Sequence, residues 1–128
     1  MAMPTSSTPT ITVQQAQLDA RLFQGLADPI RVAILELLLS GERNVSEIVA
    51  ALGLAQSRIS NHLACLRWCG LVATRREGLR VYYRISDERV RQILTLGRAL
   101  AQEHAAALQS CRQLNGVEAA PLNEPRAN

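Results

Sequence analysis

At 128 residues the chain suits one domain with one core; 48% of its residues are apolar and only 3% aromatic, so Leu, Ile, Val and Ala must fill the interior. The formal charge is +3, every basic residue is Arg, and the longest apolar runs, such as Ile34 to Leu39, are short and broken by Glu36, which argues against a membrane span. Three cysteines make an odd number, and Met1 to Thr12 has neither a basic start nor an apolar run, so free thiols in a reducing cytoplasm are expected rather than a secreted disulfide framework.

Residues 1–13 are rich in Ser, Thr and Pro and are expected to be disordered; residues 114–128 form a polar, Pro-containing tail expected to be flexible. The folded domain is therefore placed at 14–113. Gln14 to Ala27 carries apolar residues at 16, 18, 22, 23 and 26, a helical spacing stopped by Asp28-Pro29. Pro29 suits the first turn of a second helix reaching about Leu39, with Ser40-Gly41 ending it. Asn44 or Ser46 can cap a short helix from Val45 to Leu52 that stops at Gly53. Gln56 to Cys69 is the next helix and ends at Gly70. Two short helices joined by Gly53-Leu54-Ala55 have helix-turn-helix spacing.

Leu71 to Arg76 and Leu79 to Ile85 are alternating runs around Glu77-Gly78, a predicted β-hairpin. Directly after a helix-turn-helix, such a hairpin is a wing. Asp87 or Ser86 then caps a last helix running to about Gln113, with apolar positions 90, 93/94, 97, 100/101, 104/105 and 108. The predicted fold is mainly α with a small β-hairpin, a winged helix-turn-helix. The last helix is longer than such a core needs, and with Gln14–Leu26 it offers apolar faces to a second copy. A homodimer is predicted, matching DNA half-sites about 34 Å apart.

Between Leu54 and Arg84 lie six arginines (58, 67, 75, 76, 80 and 84) against one acid, Glu77, a local charge of +5 in 31 residues. That concentration points to an anionic partner, most often nucleic acid. Gln56, Ser57, Arg58, Ser60 and Asn61 crowd the start of the second helix of the pair, where their side chains suit phosphates and base edges. Arg58 is the candidate for guanine. His62 is assigned a packing or phosphate role and is read as pointing away from the cysteines; Trp68 is expected half-buried in the core. Arg75, Arg76 and Arg80 on the wing are candidates for phosphates or a minor groove. Tyr82 and Tyr83 should face opposite sides of their strand. Cys65 and Cys69, four apart, put both thiols on one helical face, a pairing for a soft metal. No Gly-rich phosphate loop, paired carboxylates or ordered Cys-His-Asp set is present, so an enzyme is not expected.

Leu26-Ala-Asp-Pro-Ile-Arg-Val-Ala-Ile-Leu, Ser57-Arg-Ile-Ser-Asn-His-Leu-Ala-Cys-Leu, Gly70-Leu-Val and Glu77-Gly-Leu-Arg-Val-Tyr-Tyr-Arg-Ile occur here in an order that resembles the ArsR/SmtB family, over about residues 14–113. The resemblance implies a dimeric winged-helix repressor that binds double-stranded operator DNA and releases it when metal binds. The family's arsenic-type Cys-Val-Cys box would fall in Val45-Ser-Glu-Ile-Val-Ala, which has no Cys. Its zinc-type Asp and His on the last helix would begin at Asp87-Glu-Arg, which lacks the His and leaves only Glu103 and His104.

Ser60-Asn-His-Leu-Ala-Cys-Leu-Arg-Trp-Cys-Gly-Leu-Val resembles the CmtR-type cadmium/lead-sensing branch, with two Cys four apart and a third far downstream. That resemblance implies Cys65, Cys69 and Cys111 as the metal ligands, the third thiolate coming from the other protomer. The implied effector is Cd(II) or Pb(II), with Zn(II) and As(III) kept open, and no permanent cofactor. The alternative is an ArsR-type repressor sensing As(III), Sb(III) or thiol oxidation through the same cysteines.

Overall fold

Side-chain caps decide where the first three helices begin. The computed structural model describes residues 10–111, and its first helix, α1 (Val13–Leu26), starts at Thr12. The Thr12 hydroxyl accepts from the Gln15 amide at 3.0 Å, while the Gln15 side chain accepts from the Thr12 amide at 2.9 Å. In α2 (Pro29–Leu38) the Asp28 carboxylate accepts from the Ile30 and Arg31 amides at 2.8 and 3.2 Å, and Pro29 occupies the turn where no amide is needed. Asn44 and Glu47 form the same reciprocal box at the head of α3 (Val45–Leu52). The fourth helix, α4 (Gln56–Trp68), starts at Ala55 with no side-chain cap.

The end of α4 is more tightly specified. Gly70 takes φ 78°, a left-handed conformation that an L side chain resists. Its amide then donates to the Arg67 carbonyl and the Leu71 amide to the Leu66 carbonyl, a Schellman closure. Leu66 and Leu71 are both buried, so the closure turns the chain directly into the sheet. Here β1 (Arg43–Asn44), β2 (Val72–Glu77) and β3 (Arg80–Ile85) pair antiparallel in the order β1-β3-β2. Val72 faces Ile85 and Glu77 faces Arg80, leaving a two-residue loop whose first member, Gly78, sits at φ 64°.

The core is Ile30, Ile34, Leu35, Leu38, Ile48, Ile59, Leu63, Leu66, Leu71, Val72, Val90 and Leu94. It lies where α2, α3 and α4 converge, with β2 and the next helix closing it. That helix, α5 (Glu88–Glu103), is capped by Asp87 and buries Val90 and Leu94. Arg91 donates to the Leu39 carbonyl at 2.7 Å, and Arg98 pairs with Glu36, tying α5 to α2.

Two features depart from the sequence reading. Strand β1 pairs Arg43 with Tyr83 and Asn44 with Tyr82; two polar residues carry no alternating pattern, so only the edge of β3 reveals them. The last helix is not continuous. His104, at φ −111° and ψ 26°, separates α5 from α6 (Ala105–Ser110), and the expected end at Gln113 lies outside the described residues. From Thr95 to His104 every residue is exposed, so no packing enforces helical continuity there. The irregular segments expected at 1–13 and 114–128 also lie mostly outside the described residues, and α1 already begins at Val13.

Large apolar side chains remain uncovered on the outer helices: Leu18 and Phe23 on α1, Leu96 and Leu100 on α5, and Leu108 on α6. Among the described residues no helix is long and apolar enough to cross a membrane.

Candidate nucleic-acid interface and thiol site

Helical spacing divides α4 into stripes with different surroundings. Ile59, Leu63 and Leu66 are buried and anchor the helix in the core. Ser57, Asn61, Ala64 and Trp68 follow one another at four-, three- and four-residue steps and are all exposed. Gln56, Ser60 and Arg67 form the exposed flank toward the wing, and Ser60, Ala64, Arg67 and Trp68 line a groove with Tyr83 of about 510 Å³. Arg58, His62 and Cys65 are half-buried and Cys69 completes their stripe. Of the α4 residues expected at DNA, Gln56, Ser57, Ser60 and Asn61 are therefore open together, while Arg58 and His62 lie with the thiols.

The uncapped start of α4 suits the same partner. Gln56 and Ser57 are exposed there, so first-turn amides have no side-chain acceptor of their own. Amides in that position, at the positive end of the helix, favour phosphate.

On the wing, Arg76 and Arg80 are both exposed; Arg76 pairs with Val81 and Arg80 with Glu77, so the two arginines lie on opposite faces of the hairpin end. Arg75 has a different setting. Its Nε donates to both Glu42 carboxylate oxygens at 2.9 and 3.0 Å, its Nη1 reaches Glu77 at 3.0 Å, and its guanidinium lies 4.7 Å from the Tyr82 ring centre. The arginine holds the Glu42 carboxyl below the usual carboxylate range, chiefly through that hydrogen bond. Tyr83 packs on the core, so the two tyrosines divide between core and wing surface.

Cys65 and Cys69 are free thiols in interacting distance on the α4 face nearest α1. Residue Cys69 is exposed as a whole, yet its sulfur turns toward Gly25: a Cβ built there would stand 3.6 Å from Sγ. Lost hydration under α1, and then the neighbouring Cys65, push the Cys69 thiol above the ordinary cysteine range; Arg31 and Arg21 pull partly the other way. Cys111 is half-buried at the end of α6. Among the described residues of one chain, no three His, Cys, Asp or Glu side chains gather as a metal site. The thiol pair fits a soft cation by donor type, but a three-sulfur set is not assembled inside one chain.

Two placements correct the sequence reading. His62 does not point away from the cysteines. It stands three residues before Cys65 and seven before Cys69, on their stripe. Its ring is 3.4 Å from an Arg31 nitrogen and 3.9 Å from an Asp28 oxygen. Trp68 is not core at all: it is 89% exposed, because the outward stripe runs to the last turn of α4 while the core stripe ends at Leu66.

Arg31, Gly25 and Glu42 are functional neighbours that sequence inspection did not single out. Arg31 donates to the Gly25 and Gln24 carbonyls at 2.7 and 3.0 Å, holding the end of α1 over the thiols. Arg31 and Glu42 act on elements far along the chain, so spacing gave no sign of either. Gly25, a glycine inside a helical pattern, was the available signal.

Residues 28–74 match the family described as "Bacterial regulatory protein, arsR family". The chain is 44% identical over 97 residues to a probable mercury resistance operon repressor of Streptomyces lividans, covering 76% of this chain and 78% of that one. It is 47% identical over 75 residues to the HTH-type transcriptional regulator CmtR of Mycobacterium bovis, covering 59% and 64% respectively. The solution structure of the homodimeric winged helix-turn-helix domain of Mb0332 from the same species superposes with a TM-score of 0.65 at 40% identity, over 76% of this chain and 92% of that domain.

Proposed function

Because this chain belongs to the arsR family of bacterial regulatory proteins, we propose that it is a repressor that binds operator DNA as an apo homodimer and leaves it when a soft metal ion occupies Cys65, Cys69 and Cys111. The carrying observation is that α4 bears both the open stripe of Ser57 and Asn61 and the thiol stripe of Cys65 and Cys69. One rigid helix cannot be repositioned for a metal without moving its DNA face.

In the apo state the first turns of α4 enter the major groove. Gln56, Ser57, Ser60 and Asn61 take base edges or phosphates, and Arg58 reaches a guanine from the border of the stripe. Arg76 and Arg80 take phosphates from the wing, while Arg75, held by Glu42, orients it. The apolar residues left open on α1, α5 and α6 supply the contact between two copies, as suits a chain similar to a homodimeric domain.

The metal supplies thiolate bonds that tie α4 to the dimer frame. Cys65 and Cys69 hold it from α4, and Cys111 of the partner subunit is the third donor. A coupling of about 1–3 kcal/mol gives about 5- to 150-fold release, and DNA must weaken metal binding by the same factor.

Cadmium or lead is the effector favoured by the resemblance of the Cys65–Cys69 segment. The mercury resistance repressor among the relatives favours a second reading, in which Hg(II) binds the same thiols; thiol oxidation and As(III) or Sb(III) are the remaining arms. The deciding experiment titrates reduced protein with each ion, following ultraviolet thiolate-to-metal bands and DNA release by fluorescence anisotropy. Bands that vanish in Cys65→Ser or Cys69→Ser and saturate together with DNA release support the sensor. A metal that binds tightly and leaves DNA affinity unchanged overturns it. An oxidant that releases DNA reversibly, with no effect of any ion, assigns the thiols to redox sensing.

A further inference from the structure

We propose that Trp68 is a DNA-contacting residue, its indole seated on the sugar–phosphate backbone and its Nε1–H donating to a phosphate oxygen. This rests on the DNA-binding reading above and extends it to the far end of α4.

Four observations lead there. Trp68 is 89% exposed, although an indole has a large apolar body and a polar tip that suit an interface. It continues the outward stripe of Ser57, Asn61 and Ala64, all exposed on the same side of α4. From Leu54 to Arg76 the chain contains no acid, and Arg67 stands beside Trp68 on the wall of the same groove. The Schellman closure at Gly70 and the buried Leu66 fix the last turn of α4, so the indole is carried on a rigid support.

Length then decides what it meets. Trp68 stands eleven positions after Ser57, about 16 Å along the helix, which is farther than the major groove is deep, about 8.5 Å. A helix whose first turn reads base edges therefore brings position 68 to the groove rim, where phosphates stand. A second copy of the chain is the competing occupant. Its natural landing sites, however, are the open apolar residues of α1, α5 and α6, which are separate elements.

Trp68 is the only tryptophan in the chain, so its emission reports on this residue alone. The full-length protein is first used to select binding duplexes from a random pool. Emission excited at 295 nm should change and saturate as a selected duplex is added. Trp68→Ala should lose about tenfold or more in affinity, since a hydrogen bond to a charged acceptor is removed along with the ring contact. Trp68→Phe, which keeps a ring, should recover part of the loss. Neither variant should alter the salt dependence, whereas Arg67→Ala should reduce its slope by about one.

A duplex bound equally by wild type and Trp68→Ala, with no emission change, overturns the proposal and leaves the repressor reading standing. Emission that responds to protein dilution alone, without DNA, assigns the indole to a second copy and also overturns it. Failure to select any duplex overturns both readings together.

Discussion

Gly25 and Cys69 meet where α1 crosses the end of α4, so closely that a Cβ on Gly25 would stand 3.6 Å from the Cys69 sulfur and 3.6 Å from a Leu71 methyl carbon. One side of the thiol thus rests against α1, although Cys69 as a whole is exposed. At 3.6 Å a methyl group is in ordinary contact, so Gly25→Ala should leave the melting temperature equal or slightly higher, helped by the lower helix cost of Ala. Gly25→Leu has no such room; it should lower the melting temperature and loosen α1. Equal melting of wild type and Gly25→Leu would show that α1 does not lie over the thiols.

The clasp of Arg75 by Glu42 separates it from its wing neighbours. Arg76→Ala and Arg80→Ala should each reduce the salt slope of DNA binding by about one, as for a lost phosphate contact. Arg75→Ala should leave the slope unchanged while weakening binding through a misplaced wing. Glu42→Gln should release Arg75 to the phosphates, steepening the slope. A slope that falls with Arg75→Ala would instead make it a phosphate ligand.

Metal binding should rise with pH. The Cys69 thiol sits above the ordinary cysteine range, so at neutral pH it is protonated and its proton must leave when a metal binds. Apparent affinity should fall steadily below neutrality, and a weakly buffered titration should show proton release with each metal bound. Affinity independent of pH would mean that Cys69 is not a ligand.

Asp87 makes a different acid-range prediction. Its carboxylate is lowered to about 2, first by the side chain and then by the backbone amide of Arg89. Because the folded value lies below the unfolded one, its support for α5 is complete above about pH 4 and is lost as the pH falls through about 2. Asp87→Asn should therefore lower the melting temperature at pH 7, and the gap should close in acid. A gap that widens in acid would contradict a stabilising role for the ionised carboxylate.

Much of this architecture was legible locally. Asp28-Pro29, Asn44 with Glu47, Gly70 and Gly78 each act within a few residues, through a cap or a left-handed turn, so the helix-turn-helix and its hairpin could be read from spacing. The stripe holding Cys65 and Cys69 was equally legible, because helical period depends on nothing distant. Trp68 was misread because its aromatic character suggested core, whereas its angular position, shared with Ser57, Asn61 and Ala64, puts it outside. His62 was misread for the same reason, since seven residues return it to the face of Cys69.

Sequence by itself determined the order of elements, the acid-free, arginine-bearing α4 and the pairing of two thiols on one face, because all three depend on residues close together in the chain. Only the tertiary structure decided that Arg43 and Asn44 form a strand, that the last helix breaks at His104, that Glu42 holds Arg75 from 33 residues away, and that Gly25 lies against the Cys69 sulfur. Each of these depends on which distant groups share a surface and how much room they leave one another, and residue spacing carries no record of that.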